Sequence, residues 1–341
     1  MTTAAASPAT MTPIRASNTL RIGFVVMIAL FAVAPFAGVY EVFLMKALCF
    51  ALFACAFNLL LGFGGLLSFG HAMFLGTAGY VSAYAAKIWG LPFELAVLTG
   101  TLAAAALGTV VGALAIRRQG IYFAMITLAI AQMMFFFYLQ APFTHGEDGI
   151  QSVPRGKLFG LIDLSNTLTM YYVVLAIFGL AFLLICRIVH SPFGQVLKAI
   201  RENEPRAISL GYDADRYKLM AFILSATLAG LAGATKAIVF QLASLTDVHW
   251  TMSGEVVLMT LLGGMGTIFG PVVGAFVIIG LEVYLQPIWH WLRTTFGLES
   301  LTDDIGQWVT IITGAIFVVC VLAFRRGIVG ELGAWWERRA R

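Results

Sequence analysis

Charge is what this sequence has least of. Only 11% of its 341 residues are Asp, Glu, Lys or Arg, where a soluble domain carries roughly a quarter, so a water-soluble fold is excluded. Cysteine is sparse too. Cys49, Cys55, Cys186 and Cys320 all lie in apolar runs without a Cys-x-x-Cys pair, and read as small buried hydrophobes with no disulfide or metal role. No G-x-x-x-x-G-K-[ST] occurs, so the chain has no usual cradle for ATP phosphates. The five histidines (His71, His145, His190, His249, His290) are scattered without metal-ligand spacing. A serine elbow and paired carboxylates on one helix face are also missing, which leaves an intramembrane enzyme without its constellation. Nothing points to nucleic acid.

What is present is apolar sequence: 60% of residues are hydrophobic, and mean hydropathy is +0.91. About 20 apolar residues of helix cross the hydrocarbon. That window predicts an all-α integral membrane protein of about ten transmembrane helices, near 20–40, 42–62, 72–90, 92–116, 120–141, 167–187, 218–240, 251–269, 271–288 and 306–324. Residues 1–19, rich in Ala, Thr and Ser, read as a disordered cytoplasmic tail, with the first apolar run a signal-anchor span. Residues 20–325 form the permeation domain, with a polar loop at 188–217, and 326–341 form a basic cytoplasmic tail. Lysine and arginine set the orientation. With both termini in the cytoplasm, about fifteen of the 21 basic residues fall inside, and the acidic loops 142–166 and 289–305 fall outside.

Two glycine-rich stretches break the pattern. "GFGGLLSFGHAMFLG" (62–76) holds Gly62, Gly64, Gly65, Gly70 and Gly76. Small residues at Gly65, Ser68, Ala72, Gly76 and Gly79 make a helix-packing stripe, which explains Gly76 and Gly79. Gly62, Gly64 and Gly70 fall off that stripe and weaken a helix, so a helix break is expected there. Unwound backbone at membrane depth is tolerated only where protein or a water-filled cavity covers it, and such discontinuous helices build substrate sites in transporters. The expected path is therefore Gly64, Gly65, Ser68, Phe69, Gly70 and His71, with His71 either a polar wall residue or a structural hydrogen-bonder. "GGMGTIFGPVVGA" (263–275) has the same flavour and adds Gly263, Gly264 and Gly266. It suggests an internal repeat, although the orientation puts both stretches on one side where inverted halves would be opposed. Glu282 lies deep in its span and would face a water-filled cavity or pair with a basic neighbour. Asn58, Thr127 and Gln132 are of the kind that hydrogen-bond between helices. "FAMITLAIAQMMFFFY" offers a Met- and Phe-rich face for packing or for an apolar passage.

The loop "HSPFGQVLKAIRENEPRAISLGYDADRYKL" is the most informative polar segment. Ser191 and Pro192 start a helix that runs to about Glu202, "ENEP" interrupts it, and a second short helix ends at Gly211. Such a knob is either a solvated connector or a docking surface, with Arg201, Glu202, Asn203, Glu204 and Arg206 as polar partners at its tip.

"GGLLSFGHAMFLGTAGY", "RRQGIYFAMITLAIAQM", "HGEDGI", the 191–222 loop stretch, "LAGLAGA" and "GGMGTIFGPVVGA" occur in family order. From about residue 20 to 335 the chain resembles the LivM-type permease subunit of branched-chain amino acid ATP-binding-cassette (ABC) importers. In such importers a loop with an E-A-A-x-x-x-G core docks on the ATPase. The corresponding residues are Pro205, Arg206, Ala207 and Gly211, and only the Ala and Gly of that core are retained. The resemblance implies alternating access in a bacterial inner membrane and a second, related permease chain forming a heterodimer. It also implies two cytoplasmic ATPase subunits that use ATP and magnesium, and an extracytoplasmic solute-binding protein. This chain would bind no cofactor itself. Urea, amides and aromatic acids are alternative cargoes. An ion-gradient-driven secondary transporter is the alternative of another class.

Overall fold

The computed structural model describes residues 13–118 and 120–296, with 314–315, 318 and 327–331. Chain contacts divide the molecule at Tyr40. The first unit contains one helix, α1 (Pro13–Val33), whose proline sits in the first turn, where a missing N–H is harmless. Residues 13–19 of the expected tail belong to this helix, and residues 1–12 lie outside the described residues. Ile22, Val25, Val26, Leu30 and Val33 are exposed along it, and its apolar part, Leu20–Val33, is shorter than a full membrane span.

The second unit begins with α2 (Glu41–Asn58), which continues as a wider π-helical turn over Leu59–Phe63. Then come α3 (His71–Lys87), α4 (Phe93–Ala115) and α5 (Ile121–Gln140). A polar loop carries three two-residue strands, β1 (Ile150–Gln151), β2 (Lys157–Leu158) and β3 (Ile162–Asp163). After it run α6 (Thr167–His190), α7 (Pro192–Glu202), α8 (Glu204–Ser209) and α9 (Ala214–Val239). The described part closes with β4 (Leu242–Ala243), α10 (Trp250–Gly263) and α11 (Gly270–Phe296).

Each of the first nine expected spans falls on one of these helices, and the tenth, 306–324, lies almost wholly outside the described residues. Among the described residues, five helices are long and apolar enough to cross a membrane: Glu41–Phe63, Phe93–Ala115, Ile121–Gln140, Thr167–His190 and Ala214–Val239. The expected span 251–269 is shorter than read. Its helix has 14 residues, about 21 Å at 1.5 Å per residue, against a hydrocarbon core of about 30 Å. Glycines at 263, 264 and 266 stop it there.

The core is α2 with the α3–α4–α9 trio. Every residue of α2 from Ala47 to Asn58 is buried, and a helix that is apolar all round belongs at the centre of a bundle. The trio packs backbone to backbone. A β-carbon on Gly233 would stand 1.9 Å from the Leu75 carbonyl oxygen, and one on Gly230 would stand 2.3 Å from Ala104 Cβ. Only glycine permits approaches that close. Gly76 is equally tight against Val248, at 2.3 Å. The opposite case is α5, which leaves Ile121, Tyr122, Met125, Met133, Phe136 and Phe137 exposed.

Two polar regions mark the ends of α9, whose 26 residues span about 39 Å. At its C-terminal end β1 pairs antiparallel with β4, Lys87 Nζ donates to the Gln151 carbonyl at 2.7 Å and Arg155 Nη2 to the Val239 carbonyl at 2.9 Å. Lys236 and Asp247 form an enclosed ion pair there. At the N-terminal end lie α7, α8 and both glycine-rich stretches.

Candidate transport site

The first glycine stretch is a helix break. After the π turn, the backbone from Gly65 to Ser68 is irregular, and α3 starts at His71. Gly65 has φ +71°, a left-handed conformation that a side chain disfavours. The second stretch breaks in the same way between α10 and α11, with Gly264 at φ +121° and Gly266 at φ +76°.

These two breaks meet. A β-carbon on Gly62 would lie 2.6 Å from the Gly266 nitrogen. Asn58, on the last turn of α2, clasps the second break: its Nδ2 donates to the Thr267 carbonyl at 2.8 Å, and its Oδ1 accepts from the Gly266 N–H at 2.9 Å. A primary amide matches one free N–H and one free C=O at once, which is what a broken helix leaves behind. The sequence reading placed Asn58 among helix-to-helix hydrogen-bonders without linking it to either break. The missing signal is spatial, since 208 residues separate it from Gly266.

The polar loop touches the same place. Arg201 Nη1, near the end of α7, donates to the Gly62 carbonyl, and Arg201 Cγ lies 3.0 Å from the β-position of Gly65. Lys198 sits 5.4 Å from the Phe63 ring centroid, and Leu197 borders Gly64. Arg201, itself exposed, reaches the membrane domain through its guanidinium, and Glu202, Asn203, Pro205, Arg206 and Gly211 are exposed beside it. Glu204 pairs with the buried Lys218 at 2.6 Å, tying α8 to α9. Ala207 is buried with Ile200 and Ala214 in a small core of its own.

The remaining path candidates separate into groups. Gly65 and Phe69 line an apolar cavity of about 430 Å³, together with Leu66, Leu67 and, from α5, Phe123 and Met125. Gly70 is small because the Thr127 carbonyl of α5 lies 2.4 Å from its β-position. Ser68 and His71 are fully buried. His71 Nε2 is 2.8 Å from Ser225 Oγ, which in turn donates to the Ala56 carbonyl, and the ring is boxed edge-on by Phe57, Phe74 and Phe222. Of the two roles open to His71, the geometry is that of the hydrogen-bonder. Gly263 and Gly264 form the α10–α11 corner, where Gly263 faces the Gly270 carbonyl at 1.8 Å from its β-position. Glu282 stands apart, paired with Lys46 at 2.8 Å, twelve residues before Asn58 and so about 18 Å away along α2. Among the described residues no group of three His, Cys, Asp or Glu side chains could hold a metal ion.

A broken-helix junction covered by a polar loop is the arrangement of a transporter, and the comparisons agree. A family model described as the permease component of branched-chain amino acid transport systems matches residues 39–321. The chain belongs to this family. The permease is 30% identical over 246 residues to the high-affinity branched-chain amino acid transport system permease protein LivM of Escherichia coli K12. It is 29% identical over 245 residues to the protein of the same name in Salmonella typhimurium LT2. Each match covers 65% of this chain and 58% of the relative. The probable branched-chain amino acid transport permease protein LivH of Methanocaldococcus jannaschii is 28% identical over 179 residues, 51% of this chain and 50% of that one. No solved structure matches the permease. Family membership and the apolar helices together make it a multi-pass membrane protein.

Proposed function

We propose that the permease is the transmembrane subunit of an ATP-driven importer for branched-chain or related amino acids, moved by separate ATPase subunits docked on α7 and α8. The observation that carries this reading is the tip of the loop. Ile208, Leu210 and Tyr212 are 55%, 70% and 40% exposed, on a loop that the positive-inside rule places in the cytoplasm. An apolar patch in water, rimmed by polar groups such as Arg206, is a protein-binding surface. Three side-chain caps make the loop rigid: Ser191 accepts from the Gly194 amide, Asn203 from Arg206 and Asp213 from Arg216. A rigid knob resting on two broken helices transmits a partner's movement as a rigid-body change.

The apolar cavity beside the first break suits an aliphatic side chain, and its wall carries no charge that would hold cargo tightly. Relatives bearing both names, LivM and LivH, support a second, related permease chain as the other half of the pore. The rest of the assembly follows by analogy with the family: two ATPases using ATP and magnesium, an extracytoplasmic solute-binding protein and a bacterial inner membrane.

The test is to purify the permease with its co-expressed neighbours and compare it with Leu210→Asp. Wild type is expected to bring down an ATPase, and the variant to lose at least ten-fold of it while staying folded. Full ATPase recovery with Leu210→Asp, together with undiminished ATP-dependent leucine uptake, would refute the docking assignment.

A further inference from the structure

The backbone groups freed by the two breaks need partners wherever the fold buries them, as it does Gly62. Asn58 satisfies the Gly266 N–H and the Thr267 carbonyl. It sits four residues before Gly62 and moves with the first break. The Gly62 carbonyl is satisfied from elsewhere, by Arg201 at the end of α7. The same guanidinium nitrogen would lie 3.4 Å from a β-carbon on Gly266, so it stands over the point where the breaks touch. Gly65 leaves room for its stem.

We propose that Arg201 is a positioning residue that pins the cytoplasmic loop to the paired helix breaks, so that displacement of α7 moves the Gly62 and Gly266 segments together. It thus acts within the permease and is not part of the surface that binds the ATPase. Three features support a pin. The contact runs side chain to backbone, so it reports the position of the break whatever side chains flank it. Leu197 and Lys198 brace the same helix against Gly64 and Phe63, so α7 does not slide independently of the break. Asn58 then carries the movement on to Gly266 and Thr267. Arginine suits the task because its long stem crosses Gly65 and its planar fork holds its donors in fixed directions.

This inference rests on the proposed ATP-driven reading, and two measurements separate their fates. The complex, purified with its partners and placed in proteoliposomes, is compared as wild type, Arg201→Ala and Arg201→Lys for ATPase recovered and for leucine taken up per ATP hydrolysed. Hydrogen–deuterium exchange is then followed on the purified permease alone. With Arg201→Ala, ATPase recovery is expected to stay within about two-fold of wild type while uptake per ATP falls at least ten-fold. Amides of 63–70 and 264–267 should exchange faster, with the α3–α4–α9 core unchanged, and Arg201→Lys should recover part of both. If Arg201→Ala does not accumulate, Arg201→Gln is scored in the same way. Parallel loss of ATPase and uptake would make Arg201 a docking residue and overturn the pin, as would unchanged exchange at both breaks. If wild type recovers no ATPase, the importer reading falls, and the exchange contrast still decides the Arg201 contact.

Discussion

Single residues at the break do the work that regular helix does elsewhere. Asn58 is the clearest case. Its amide serves both a donor and an acceptor of the second break, in a site where an unpaired polar group costs about 1–3 kcal/mol. Asn58→Leu is therefore expected to lower unfolding stability in detergent by about 2 kcal/mol or more, read as an earlier denaturation midpoint. An unchanged midpoint would mean the clasp contributes nothing. Residue roles were only partly legible in the sequence. Gly62 through Gly70 announced a break because glycine and polar atoms interrupt an apolar run. The burial of Ser68 and His71 could not be read, because a sequence gives no sign of which neighbours close over a side chain. Arg201 reads in the sequence as a partner-binding residue at the tip of the loop for the same reason: whether it points to a partner or to Gly62 depends on how α7 docks. Glu282 had two readings in the sequence, and Lys46 supplies the pairing one.

At the scale of elements, capping residues and proline mark the loop so clearly that its helices were placed almost to the residue. Ser191, Asn203 and Asp213 each accept a backbone N–H at the start of a helix, and Leu210 hands over to Gly211 at φ +90°, where glycine ends α8. Each such cap contributes about 1 kcal/mol. Asn203→Ala and Asp213→Ala together are expected to loosen α8 without unfolding the membrane domain. Limited proteolysis would show this as faster cleavage between 203 and 213, while the spans stay protected. Equal cleavage rates would mean that the Ile200–Ala207–Ala214 core and the Glu204–Lys218 pair hold the loop unaided. The length of α10 was not legible. Hydropathy continued through "LLGGMGTIFG", and only the left-handed glycines at 264 and 266 show where the helix must stop. The similarity of the two glycine stretches suggested an internal repeat and not their contact, which only the packing of Gly62 against Gly266 brings out.

For the whole molecule, composition and lysine–arginine placement were enough to give a helical membrane protein, since hydrocarbon leaves few alternatives to helix. The order of motifs was enough for the family. What one chain does not encode legibly is what covers its apolar surface: α5 leaves a face exposed that lipid or a second permease chain would cover equally well. The central claim is that a separate ATPase drives transport through the 191–217 loop. Its most direct test is leucine uptake into proteoliposomes holding the complete complex, with wild-type permease or with residues 203–211 deleted. The account predicts ATP-dependent uptake by wild type, and loss of both uptake and bound ATPase in the deletion. ATP-dependent uptake that survives the deletion would contradict it.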